Sequence, residues 1–297
     1  MNKNNELLVS LPDFYFNMQL SLNIIDLQKK YPFVFENGIK LDTIYDCFPS
    51  FWGGGRSLPV RGIVSRDEIE EKIIPFLERG VNIRYNFTNS CLTEEWLNDY
   101  NSNNIVQITL DIIKKYNSKL GITIYSDLLK EYLEKTYPGM YYVWSTTLGK
   151  IGIDEVNKKT EKDILVLDYN YNNDFDFIDK LEHPENIEIL VNEHCIPNCP
   201  YRHIHWSWVS EEQLHPESST PTWCMNRIMK NNYANEFQDK IVTTEQMRQN
   251  YLPRGINKMK IAGRQEENIS LIRQYVKWLI KPEYREEIFN YLKEFAE

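Results

Sequence analysis

The densest group of chemically capable side chains is Glu193-His-Cys195-Ile-Pro-Asn-Cys199-Pro-Tyr-Arg-His203-Ile-His205, with Cys224 further on. It holds three of the five cysteines and three of the five histidines. Thiolates gathered at the end of a strand usually bind a metal ion or an iron–sulfur cluster. Cys195, Cys199 and Cys224 with His203 or His205 would close a structural Cys3His zinc site. With Cys47 or Cys91 they would make a four-thiolate iron–sulfur site, and alone they would leave one iron open to substrate. The C-x3-C spacing differs from the paired C-x2-C of zinc fingers, although zinc tolerates two to four intervening residues. The bland reading is a set of unligated thiols that pack as small apolar groups. His194 either supports a ligand or simply packs.

A second group is cationic. Arg56, Arg84, Lys260 and Arg264, with Asn86 beside them, would suit a carboxylate or phosphate if gathered at one mouth. Lys and Arg are also ordinary surface residues. Glu193 and Asp168 are the candidates for proton transfer, although Asp168, like Ser126 and Thr146, also stands where a helix N-cap belongs. Gly53-Gly-Gly-Arg56 could bring backbone amides to an anion. It lacks the P-loop Lys-Ser/Thr and the dinucleotide fingerprint, so a flexible turn is the better reading. Phe48, Phe51, Trp52, Trp206, Trp208 and Trp223 flank these loops and could shield a cluster, stack on a planar substrate or pack a core. No Ser–His–Asp or H-E-x-x-H arrangement is present.

The elements that must position these groups alternate along the chain. Apolar, β-branched runs at 7–10, 41–45, 82–86, 121–125, 141–144, 163–167, 187–191 and 258–261 read as strands. Helical patterns occupy 17–30, 65–79, 94–117, 126–137, 153–159, 172–181, and 219–231 with 244–250; two more, 265–280 and 283–296, are separated by Pro282. Ser65 and Thr93 read as N-caps, each followed by acids in the first turn. This order predicts a single α/β domain over 1–297, a (β/α)8 TIM-like barrel. A doubly wound open sheet is the main rival. The longest connection, 194–256 after strand seven, carries the cysteine cluster, and long connections of this kind tend to be functional. Every cysteine then follows a strand, on the face where barrel active sites lie.

The 297 residues are 42% hydrophobic, enough for a substantial core. The net charge of -9 argues against a nucleic-acid footprint but leaves room for a local basic patch and a small-molecule or carrier-bound anion. Five cysteines in this length suggest reduced thiols or ligands, not a disulfide scaffold. The polar start and the lack of a run of about 18 apolar residues predict a cytoplasmic chain with no membrane anchor.

Val191-Asn-Glu-His-Cys-Ile-Pro-Asn-Cys-Pro-Tyr-Arg202, followed by Met259-Lys-Ile-Ala-Gly-Arg264, resembles the peptidase U32 family. The family's later signature reads Phe-Lys-Ile-Glu-Gly-Arg; here Met259 replaces Phe and Ala262 replaces Glu. Tyr45-Asp-Cys-Phe-Pro-Ser50, Gly54-Gly-Arg56 and Arg84-Tyr-Asn-Phe-Thr-Asn89 resemble segments of another branch of the group. The resemblance implies a TIM-like barrel with a [4Fe-4S] cluster, to which Cys195, Cys199 and Cys224 correspond. The usual cysteine spacing is not reproduced, so the fourth ligand does not carry over; Cys47 is the first choice and Cys91 the second. The implied activity is redox chemistry, such as an oxygen-independent hydroxylation, with an electron donor or protein partner. The alternatives are a zinc-dependent hydrolase or peptidase and a non-catalytic binding barrel with a structural metal.

Overall fold

The computed structural model describes residues 6–54, 58–193, 195–215, 239–263 and 268–295. Eight parallel strands close into a barrel in sequential order. They are β1 (Leu7–Pro12), β2 (Ile39–Asp46), β3 (Asn82–Phe87), β4 (Leu120–Ile124), β5 (Tyr141–Trp144), β6 (Ile164–Leu167), β7 (Ile187–Leu190) and β8 (Lys258–Lys260). The barrel closes where β1 pairs with β8, Ser10 facing Lys260 in register. The principal helices are α1 (Met18–Lys30), α2 (Arg66–Leu77), α3 (Tyr100–Ile113), α4 (Asp127–Thr136), α5 (Ile153–Thr160), α6 (Phe175–Ile178), α7 (Arg202–Leu214), α8 (Asn268–Leu279) and α9 (Arg285–Lys293). The (β/α)8 expectation holds. No helix among the described residues is long and apolar enough to cross a membrane.

Local chemistry sets the helix limits. Ser65 caps α2 by accepting from the Glu68 amide at 3.1 Å, as the sequence suggests. Thr93 makes no such cap; its hydroxyl donates to Glu95. The continuous helix expected over 94–117 is broken, because Asp99 accepts from the Ser102 amide at 2.7 Å and starts α3 afresh. The helix expected over 172–181 shrinks to α6. The largest departure follows β7: α7 begins only a few residues past Cys199, where a cysteine loop was expected. The helix expected over 219–231 lies outside the described residues.

Side chains alternate across the barrel wall. Ile44, Ile83, Tyr85, Ile122 and Ile189 point outward into the main core between strands and helices. The inward set differs around the circumference. Val143, Val166 and Leu190 form a small apolar cluster with Ala262. Opposite them lie Ser10, Thr43, Arg84 and Thr123. Gly121 is required on this inner face, since a Cβ there would stand 2.2 Å from the Tyr141 ring.

Arg84 and Glu188 cross the interior, with Arg84 Nη1 3.0 Å from Glu188 Oε2 and each side chain 2% exposed. Ser10 donates to Glu188 Oε1 at 2.6 Å. Arg84, expected at the mouth to bind substrate, is therefore committed to an ion pair within the barrel. Strand alternation reads the same at mid-barrel as at the rim, so the sequence pattern does not separate the two positions.

Candidate active site

The C-terminal ends of the strands converge on one mouth, and α7 lies over it. Arg202 at the start of α7 donates to Glu193 Oε2 at 3.2 Å, beyond β7. Further along, Ser210 Oγ accepts from the Ser90 amide at 2.9 Å and the Ser210 carbonyl accepts from Asn89 Nδ2 at 3.1 Å, both beyond β3. Gln213 then ties the helix to the loop after β2 through the Ser50 carbonyl at 2.8 Å. Thirteen residues of helix span about 20 Å, enough to cross a barrel mouth. Gly54 permits the β2 loop to dock, because a Cβ there would stand 2.6 Å from the Thr88–Asn89 peptide. The glycine run thus serves a close backbone approach at Gly54, not merely a flexible turn.

Beneath α7 is a cavity of about 80 Å³. Its polar wall includes Asn86, Thr88, Thr123, Ser145 and Lys260; Leu190, Ala262 and Trp206 supply the apolar side. Asn86 Oδ1, Thr88 Oγ1 and Thr123 Oγ1 are buried with no hydrogen-bond partner. Thr88 is 5% exposed and Thr123 1%. Such atoms are expensive to bury unpaired. The Lys260 ammonium lies 4.0 Å from the centroid of the Tyr45 ring. Burial alone would push the Glu188 carboxyl up; Arg84, Lys260 and Ser10 outweigh it and hold that carboxyl below the usual range.

Arg202 organises the opposite side of the mouth. Besides Glu193, it stands over the Tyr169 ring, its Cζ 4.6 Å from the centroid, and its Nε is 3.8 Å from Asp168 Oδ2. These partners fix the cysteine loop. Glu193 Oε1 accepts from the Cys195 amide at 3.1 Å, Tyr169 donates to the Ile196 carbonyl at 2.6 Å, and Asn170 Oδ1 accepts from the Asn198 amide at 2.7 Å. Asn170 is itself held by Asp168 Oδ1. Asn198 takes the left-handed conformation that turns the loop, with φ 51°. Both oxygens of Glu193 are thus engaged, and Asp168 caps a 3-10 turn through the Asn170 amide at 2.9 Å. Arg202 lies within the cysteine motif, where nothing local in the sequence marks this role.

The cysteines do not assemble into a visible ligand set. Among the described residues, no group of three or more His, Cys, Asp or Glu side chains is placed to hold a metal ion. Cys47 is buried and directs its Sγ to the Phe48 carbonyl at 3.0 Å. Cys91 packs beside Ser207 of α7, and burial together with Glu211 pushes its thiol up to about 11. Cys195 and Cys199 are half-buried in the tethered loop. Cys224, His194, Arg56, Arg264 and Trp223 lie outside the described residues. The described residues alone do not fit a [4Fe-4S] cluster or a Cys3His zinc ion. Phe48 and Trp52 prove to be fully buried core residues.

No family model and no curated protein sequence matches the chain. In solved structures the fold is similar to that of the U32 peptidase Mk0906, with a TM-score of 0.53 and 14% identity over 88% of this chain and 94% of that one. The likeness agrees with the family that the sequence motifs resemble; at this identity it speaks for the fold. A noncanonic maltogenic α-amylase, AmyB from Thermotoga neapolitana, matches at TM-score 0.31 and 8% identity over 72% of this chain and 57% of that one, too little to carry an argument.

Proposed function

We propose that the chain is a U32-like barrel enzyme that takes a small carboxylate under α7, with Lys260 as its cation. The carrying observation is the ring of buried, unpartnered oxygens, Asn86 Oδ1, Thr88 Oγ1 and Thr123 Oγ1, around a cavity that Lys260 also lines. The two hydroxyls can donate to a carboxylate, and Asn86 Oδ1 accepts from a hydroxyl or amine on the same ligand. A cavity of about 80 Å³ suits a molecule of a few heavy atoms. The structural neighbour is named a peptidase, but a polypeptide needs an open cleft, and α7 is tied across this mouth. A redox reaction served by a cluster on Cys195, Cys199 and Cys224 rests on the cysteine motif and is tested by metal content; Cys47, packed against the Phe48 carbonyl, is left out of that ligand set.

Calorimetric titration with glycolate, lactate and pyruvate, against neutral lactamide, tests the proposal. The carboxylates are expected to bind about tenfold tighter than lactamide, and Lys260→Met to erase that difference. Binding by none of the three acids, or the same preference in Lys260→Met, overturns it.

A further inference from the structure

Arg202 and Asp168 also border a second cavity, of about 360 Å³, on the β5–β6 side of the mouth. It shares only Thr147 with the cavity under α7. Lys150, Asn170, Cys199 and His203 complete the part that matters here. Its volume is within the range of small-molecule sites.

The buried end of this cavity has an unusual hydrogen-bond inventory. Arg202 Nε and Nη1 and Asp168 Oδ2 are all buried without a hydrogen-bond partner. The two residues attract each other, yet their nearest atoms stand 3.8 Å apart, too far for a hydrogen bond. Neither is free to turn away. Arg202 is held by Glu193 through Nη2, and Asp168 is held by Asn170 through Oδ1. Two fixed donors and one fixed acceptor are therefore left unpaired beside one another in the wall of this cavity. A carboxylate would satisfy Arg202 but oppose Asp168; an ammonium would do the reverse. A group that accepts and donates at once satisfies both.

At the outer end Lys150, His203, Asn198 and Pro200 are exposed, and the Lys150 ammonium favours negative charge. We infer that this cavity is a second recognition site, for a small anion whose far end carries a neutral donor–acceptor group, a carboxamide or a hydroxyl. The group bridges Arg202 and Asp168, and the anionic end lies toward Lys150. This site does not depend on the reading of the Lys260 cavity.

The test uses three probes on one carbon skeleton: succinamate, 4-hydroxybutanoate and succinate. Titrations are run in wild type and in Lys260→Met, so that binding under α7 is separated from binding here. In Lys260→Met, succinamate or 4-hydroxybutanoate should bind about tenfold or more tighter than succinate, because a carboxylate leaves Asp168 unsatisfied. Which of the two binds distinguishes amide from alcohol. Asp168→Asn keeps an equally good cap and supplies a donor in place of the acceptor; it should bring succinate level with the other two. Lys150→Ala, on the surface, should weaken all bound probes together. Equal affinity for succinate in Lys260→Met, no binding of any probe in that protein, or a preference that survives Asp168→Asn overturns the inference.

Discussion

Arg84 and Glu188, 104 residues apart in sequence, form an ion pair inside the barrel, Nη1 to Oε1 at 3.1 Å. A third charge shares the arrangement, since Lys260 also helps keep Glu188 ionised. Removing one member of a buried pair strands the other, at about 3–5 kcal/mol. Glu188→Leu should cost more than Arg84→Met, because it strands two cations, whereas Arg84→Met leaves Glu188 with Lys260. The double variant should be more stable than Glu188→Leu alone. Urea denaturation of the three variants measures the order; a double variant no better than Glu188→Leu would show that packing, not charge, sets the cost.

The same pair gives stability an acid limit. Glu188 has a carboxyl held below its ordinary range in the folded chain. Its contribution is therefore fully present above the unfolded glutamate pKa of about 4.3 and is lost as pH falls through the lower folded value. Urea midpoints should fall more steeply below about pH 4.3 in wild type than in the Arg84→Met/Glu188→Leu protein. Parallel curves would remove Glu188 from the account.

Much of this fold is legible in the sequence because strand signals are local. The run Tyr141–Trp144 is a strand with the expected limits, and the other seven strands fall within a few residues of theirs. The partner of Arg84 is not legible. Glu188 sits within the apolar run Ile187–Leu190, and nothing local says that it turns inward to meet a residue four strands away. The helix α7 is not legible for a different reason. Its sequence RHIHWSWVSEEQL is rich in His, Trp, Ser and Val, all modest helix formers. Contacts with Asn89, Ser90 and Gln213's partners stabilise it instead. The polar cavity residues Asn86, Thr88 and Lys260 are legible because they end strands; Thr123 lies inside β4 and is not, since a threonine within a strand usually needs no explanation.

Metal content decides whether Cys47 serves the cysteine loop. Its sulfur faces the Phe48 carbonyl, and a Cβ on Gly53 would stand 3.2 Å from it, so it is packed on the β2 side. Cys47→Ser should leave the iron or zinc content of anaerobically purified protein unchanged. Cys195→Ser with Cys199→Ser should abolish whatever metal is bound, as thiolates dominate such sites. Loss of metal from Cys47→Ser alone would make Cys47 a ligand and require the β2 loop to rearrange.

Arg202 is expected to govern the order of the cysteine loop. Its guanidinium reaches Glu193 at 3.2 Å and stands 3.8 Å from Asp168, and those two carboxylates anchor the loop at Cys195 directly and at Asn198 through Asn170. Arg202→Lys keeps the charge but loses the planar fork that serves two partners at once. One charge-assisted hydrogen bond is worth about 1.5–3 kcal/mol, so the loop should open at least about tenfold more often. Hydrogen exchange should therefore quicken at the amides of Cys195 and Asn198 while β3 and β7 stay protected. Equal acceleration in the strands would mean global destabilisation. Unchanged exchange in the loop would mean that Glu193 and Asn170 hold it without help from Arg202.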